Sequence, residues 1–159
     1  MGKKHDKTNV MRILDRAKVE YEYFEYDNSK LNAVEVANEL KIGVGCLFKT
    51  LVTVGKSREH YVFMVPAAEE LDLKKAAKCA GEKSVEMLRQ KELLPLTGYI
   101  HGGCSPIGMK KQFKTFIHKT AVGCGKLYFS AGKVGHQVSL SFDDLQKVIP
   151  ITAEDIIKA

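Results

Sequence analysis

Apolar and polar residues follow one another in this chain with two different periods, and the changes of period mark out its elements. From Thr8 onward, Val10, Ile13, Leu14 and Ala17 recur at helical spacing behind a capping residue, which predicts an amphipathic first helix. Residues 21–26 are aromatic and partly alternating, the pattern of a strand. Asn32 with Glu35 three residues later opens a second helix, whose apolar face is Ala33, Val36, Ala37 and Leu40 before Ile42-Gly43 ends it. Two strands follow at 47–54 and 61–65, joined as a hairpin by the polar turn Gly55-Lys56-Ser57-Arg58-Glu59.

Asp72 caps a third helix carrying Leu73, Ala76, Ala77 and Ala80, and Gly81 stops it. Beyond it the pattern is shorter: a strand at 84–87, a helical turn at 91–94, and a strand at 99–101 running into Gly102-Gly103. Further strands at 115–118, 127–130 and 138–140 are separated by glycines. Ser141 with Asp144 opens a last helix with Phe142, Leu145, Val148 and Ile149, ended by Pro150. Strands at the centre, helices early, midway and late, and no regular strand–helix alternation predict a single α+β domain. Residues 1–7, polar and without periodicity, read as a disordered tail, and 8–159 as the domain.

Composition narrows the setting. A chain of 159 residues can bury roughly 70% of its unfolded surface without metal or disulfide staples. The four cysteines, Cys46, Cys79, Cys104 and Cys124, include no C-x-x-C pair, so neither a zinc knuckle nor a thioredoxin-like motif can be written, and a reduced setting is the economical reading. No apolar run reaches the twenty or so residues that span a bilayer, and the start Met-Gly-Lys-Lys-His-Asp-Lys lacks the apolar segment of a secretory signal. A cytoplasmic protein without a membrane partner is expected. The formal charge of +6 and pI near 9.1 favour a polyanionic partner over an acidic one.

Three stretches could carry chemistry. Phe48-Lys49-Thr50-Leu51-Val52 sets a lysine and a threonine at the start of an apolar strand, where the lysine either snorkels to water or holds an anion. Thr97-Gly98-Tyr99-Ile100-His101-Gly102-Gly103-Cys104-Ser105-Pro106-Ile107-Gly108 contains a glycine pair that is either a tight turn or a place where main-chain N–H groups face a developing oxyanion. Ser130-Ala131-Gly132-Lys133-Val134-Gly135 is a second glycine-rich turn leaving a strand. Neither turn has the G-x-x-x-x-G-K-[ST] spacing of a phosphate loop, so nucleotide hydrolysis has no support.

These stretches, together with Tyr26-Asp27, Leu71-Asp72-Leu73-Lys74-Lys75-Ala76-Ala77, Lys83-Ser84-Val85-Glu86-Met87, Lys110-Lys111 and Tyr128-Phe129, occur in one order. In that order, from about Val10 to about Ile157, the chain resembles the YbaK/EbsC-type aminoacyl-tRNA editing domains, which are also found inserted in some prolyl-tRNA synthetases. The resemblance implies an α+β fold around a mixed, mostly antiparallel and barrel-like sheet with surrounding helices. It implies a hydrolase that removes a wrong amino acid from the 3′ end of tRNA, cysteine on tRNA for proline first among them, beside prolyl-tRNA synthetase as partner and with no cofactor or metal. By position it assigns Lys49 to the phosphate or sugar of the terminal adenosine, Gly102 and Gly103 to the aminoacyl carbonyl, and Tyr26, Thr50 and Ser130 to the substrate pocket. For cysteine-specific members the substrate's own thiol is the nucleophile. That suits a sequence in which no Ser/His/Asp or Cys/His arrangement stands out.

Departures from the family pattern fall at His101, Cys104, Ala131, His136 and Gln137, so the resemblance fixes reaction class more firmly than amino-acid specificity. A deacylase for another amino acid, such as alanine, and a non-catalytic module that binds the tRNA acceptor end are the alternatives. His101 and Cys104 alone do not make a zinc site and read as structural.

Overall fold

The computed structural model describes residues 7–26 and 32–159. Most of the expected tail, and Asp27 of the Tyr26-Asp27 motif, lie outside the described residues. Five helices and eight strands are described: α1 Asn9–Ala17, β1 Glu22–Glu25, α2 Ala33–Leu40, β2 Phe48–Gly55, β3 His60–Pro66, α3 Leu73–Ala80, β4 Val85–Met87, α4 Gln90–Thr97, β5 Lys114–His118, β6 Leu127–Ser130, β7 His136–Leu140, α5 Phe142–Val148 and β8 Ile151–Glu154. Short 3-10 segments occupy Val44–Cys46 and Lys119–Gly123. None of the described helices is long and apolar enough to cross a membrane.

Side-chain caps set four of the helix starts. Thr8, Asn32, Asp72 and Ser141 accept main-chain N–H groups of Met11, Glu35, Lys74 with Lys75, and Asp144, relieving donors that a first turn leaves unpaired. Gly81 closes α3 with a left-handed φ of 72°, whereas Lys41, not Gly43, takes that conformation after α2.

The strands form two sheets rather than one. β1, β7 and β6 make an antiparallel three-stranded sheet in the order β1-β7-β6. The second sheet runs β4-β2-β3-β5-β8, with β3/β5 and β5/β8 parallel and the other pairs antiparallel. Among the described residues a single bridge, Leu47 to Tyr128, links them. β3 sits second from neither edge, and Tyr61-Val62-Phe63-Met64-Val65 is apolar throughout because both of its faces are covered. Met64 joins Phe48, Ile117, Phe129, Val138 and residues of α1 and α5 in the core between the sheets, while Phe63 and Val65 pack on Ala76 and Ala77 of α3.

Three local expectations change. Residues 99–101 are not a strand: the Tyr99 hydroxyl donates to the Ile107 carbonyl and the chain doubles back, so no strand partner is available. The turn at 91–94 is a full helix, α4, continuing through Pro95. β8 follows directly after Pro150; four residues carry little pattern alone, and parallel pairing to β5 secures them. The cysteines also depart from the reduced reading. Cys46 and Cys124, 78 positions apart, form a disulfide with Cα atoms 5.7 Å apart. Short-range spacing motifs cannot register such a pair, because it exists only once the two 3-10 segments meet.

Candidate functional site

A cavity of about 420 Å³ opens between the two sheets, where five of the six residues singled out in sequence meet: Tyr26, Lys49, Thr50, Gly102 and Ser130. Its position follows from how β2 is paired. β4 reaches only Thr53–Gly55, with one further bond from Leu88 N–H to the Val52 carbonyl. The first half of β2 is thereby left as an open edge toward β6. Residues 47 to 51 line the cavity consecutively, although alternate strand residues point to opposite faces. The cavity is therefore approached along the strand edge, and adjacent Lys49 and Thr50 both serve it.

The other walls come from distant segments. Ala33 and Val36 of α2, Ala67 after β3 and Leu93 of α4 supply apolar surface, and His101, Cys104, Val134 and Gln137 complete the lining. Sequence periodicity marks Val36 as core-facing, but only tertiary assembly brings α2 and α4 to β2. Among the departures from the family pattern, His101, Cys104 and Gln137 are thus at the cavity. Ala131 is instead fully buried in the main core, and His136 pairs with Tyr23 and Glu25 on the opposite face of β7.

Among the described residues no carboxylate lines the cavity. The half-buried Lys49 has no ion-pair or hydrogen-bond partner among the described residues, so its ammonium is available to an anion or a cluster of ligand oxygens. Ser130 Oγ accepts the Gly132 N–H at 3.0 Å, which leaves its own hydrogen free to donate. Burial pushes the Cys104 thiol up to about 12. It stays protonated near neutrality and is a wall residue, not a nucleophile.

The glycine pair divides in role. Gly102 lines the cavity with φ +88°, and its N–H makes no main-chain hydrogen bond among the described residues. Gly103 is buried outside the cavity lining, and its N–H donates to the Ile100 carbonyl at 3.0 Å. A Cβ there would stand 3.1 Å from the Val134 nitrogen, so Gly103 brings its loop against the loop of Lys133 and Val134. Gly108 and Gly132, both with positive φ, similarly make room for the Tyr99 side chain, with hypothetical Cβ atoms 2.8 Å from its hydroxyl oxygen and 3.1 Å from its ring. The two glycine-rich turns are packed around one tyrosine.

A cation, two hydroxyls and a main-chain donor beside an apolar wall suit an ester next to a phosphodiester, with charge developing on a carbonyl oxygen. The set contains no partnered nucleophile and base.

Comparison with known proteins identifies the family. Residues 28–148 match the aminoacyl-tRNA editing domain. A protein of Enterococcus faecalis provisionally named Cys-tRNA(Pro)/Cys-tRNA(Cys) deacylase EbsC is 49% identical over 141 residues, 87% of this chain and 86% of that one. A solved structure described, again provisionally, as a trans-editing enzyme for prolyl-tRNA synthetase superposes with a TM-score of 0.83 over 97% of this chain and all of its own, at 22% identity. The structure of a hypothetical protein, APE2540, superposes with the same TM-score at 18% identity, covering 94% of this chain and 99% of its own. At such identities the two structures speak for the fold. The sequence matches go further, and the chain belongs to the aminoacyl-tRNA editing domain family.

Proposed function

We propose that this chain is a trans-acting aminoacyl-tRNA deacylase that hydrolyses cysteine mischarged on tRNA for proline. The observation that carries the reading is the Lys49 ammonium, without a partner among the described residues, in one cavity with Gly102, Thr50 and Ser130. Lys49 holds the phosphate or sugar oxygens of the terminal adenosine, and Tyr26, Thr50 and Ser130 shape the aminoacyl pocket. The Gly102 N–H faces the ester carbonyl, and Gly103 holds that loop in place. The kinship with a protein named for cysteinyl-tRNA deacylation supports the choice of amino acid.

The chemistry then belongs to the substrate. The cysteine thiol gives up its proton and attacks its own ester carbonyl, forming a carbon–sulfur bond. The carbon–oxygen bond to the ribose breaks, the ribose hydroxyl takes a proton, and cysteine departs as a cyclic thioester that water opens. The protein supplies orientation and stabilisation of the oxyanion, which agrees with a cavity whose described lining has no carboxylate and holds a protonated Cys104. The work is done in the cytoplasm, beside prolyl-tRNA synthetase, which contributes selectivity for the tRNA.

The test is amino-acid release from tRNA for proline charged separately with cysteine, alanine and proline, using the wild type and Lys49→Ala. Rapid loss of cysteine alone, dependent on Lys49, is expected. Hydrolysis of alanine at a comparable rate would discard the thiol mechanism. No hydrolysis of any charge, with or without the synthetase, would leave an acceptor-end-binding module.

A further inference from the structure

The Cys46–Cys124 disulfide joins two segments that run directly into the walls of the cavity. Cys46 ends the 3-10 segment that follows α2, and the consecutive cavity residues begin at the next position, Leu47, and run into β2. α2 itself contributes Ala33 and Val36. Cys124 stands three residues before β6, whose last residue is Ser130. The bond thus ties the α2 side of the cavity to the β6 side, next to the isolated Leu47–Tyr128 bridge.

Val44 packs against the small cluster around Val36 and Leu47, and Ala121 and Cys124 reach the main core, but the positions next to the cysteines are open. Gly43 and Gly45 precede Cys46, and Gly123 and Gly125 stand on either side of Cys124. A side chain at any of these four glycines would meet nothing within 4 Å. Only Gly125, with φ +72°, has a backbone that favours glycine. No neighbour crowds these four positions, so packing at them does not oppose a change of backbone once the bond opens. Both cysteines are half-buried, within reach of a small oxidant or thiol. Cys79 and Cys104 are unpaired, and burial raises both thiols, so they compete poorly as thiolates.

We propose that Cys46 and Cys124 are a reversible thiol–disulfide modification site that sets how firmly the α2 wall closes on the cavity. In the oxidising direction two thiols and one peroxide molecule give the disulfide and two molecules of water: a thiolate attacks the peroxide to give a sulfenic acid and the first water, the second thiol attacks the sulfenic sulfur and displaces its hydroxyl as the second water, and the two sulfurs together lose two electrons to the peroxide. A dithiol reductant reverses the step through a mixed disulfide and is itself oxidised. The oxidised protein holds α2 and β6 together as the structure has them. Reduction releases the wall and weakens productive binding of the aminoacyl end. The effect on turnover rests on the deacylase reading above; the effect on α2 does not.

The full chain is treated with hydrogen peroxide or dithiothreitol and freed of reagent before substrate is added, because a cysteinyl ester is itself a thiol. Three quantities are read in each state: free thiols, hydrogen exchange across residues 33–46, and kcat/KM for cysteine release. Peroxide is expected to remove two of the four thiols. Reduction should speed exchange in 33–46 and lower kcat/KM about fivefold or more, in the range usual for coupled sites. Cys46→Ser and Cys124→Ser should each behave as the reduced protein under both treatments. Four thiols remaining after peroxide, or identical exchange in the two states, would overturn the proposal. Redox-sensitive exchange with equal turnover in both states would overturn its link to the cavity. Redox-sensitive exchange in a protein that deacylates nothing would sink the deacylase reading and leave the clasp standing.

Discussion

Gly103 lies so close to Val134 that a Cβ built on it would stand 3.1 Å from the Val134 nitrogen, with Lys133 main-chain atoms at 3.3 and 3.4 Å. Main chain cannot swing aside as a flexible side chain can, so Gly103→Ala must push two loops apart, at about 1–3 kcal/mol for an overpacked contact. Gly102→Ala meets only Val134 Cγ2 at 3.6 Å but forces alanine to φ +88°, at about 1–2 kcal/mol. Thermal unfolding beside kcat/KM separates them. Gly103→Ala should lose stability and activity together, whereas Gly102→Ala should lose more activity than its drop in Tm explains. Equal behaviour of the two would erase the division of roles.

Lys49 makes no ion pair among the described residues, so its removal should leave the fold intact. Lys49→Gln is expected to keep Tm within about 2 °C, the shift that under 1 kcal/mol gives in a domain of this size, while cysteine release nearly stops. A large fall in Tm would make Lys49 structural.

Tyr99 donates its hydroxyl to the carbonyl of Ile107, which is fully buried. Tyr99→Phe deprives that carbonyl of its donor, at about 1–3 kcal/mol. Differential scanning calorimetry should show a Tm lower by about 2–4 °C for each kcal/mol. The loss should be smaller than that of Tyr99→Ala, which also empties the slot between Gly108 and Gly132. An unchanged Tm in Tyr99→Phe would remove the hydrogen bond from the account.

His118 is buried, and its Nδ1 accepts the Ile156 N–H at 3.3 Å. Burial lowers its pKa below the ordinary 6.5, assisted by Lys119 and Lys75 and opposed by Asp155 and Glu69. As pH falls, the unfolded chain takes up this proton first. Stability from the neutral imidazole is therefore complete well above pH 6.5 and declines as pH drops from there through the folded value. Tm measured across this interval should fall in the wild type, and more gently in His118→Gln. Parallel curves would assign the acid sensitivity in this interval to groups other than His118.

The elements most legible in sequence were those with a local cause. Thr8, Asn32, Asp72 and Ser141 announce their helices because a cap and its receiving N–H groups lie within three residues. The stretch at Lys49 stood out because a charge interrupts an apolar strand. What escaped depends on partners far away in the chain. β8 exists by pairing with β5, the division into two sheets rests on where β4 stops, and Cys46 meets Cys124 across 78 positions. Gly103 and Gly102 look alike in sequence, and only the main chain of Val134 tells them apart.

The short reach of β4 makes the cavity a question of chain geometry before it is one of side chains. The Leu88 N–H still follows the ladder to the Val52 carbonyl, and one residue later Arg89 turns the chain away into α4. Had the ladder run three residues further, Leu51, Thr50 and Lys49 would have met a neighbouring strand instead of a ligand. The width of the opening is thus set by where a strand gives way to a helix. Inserting or deleting a residue between Met87 and Gln90 would resize the opening without altering one of the groups that line it.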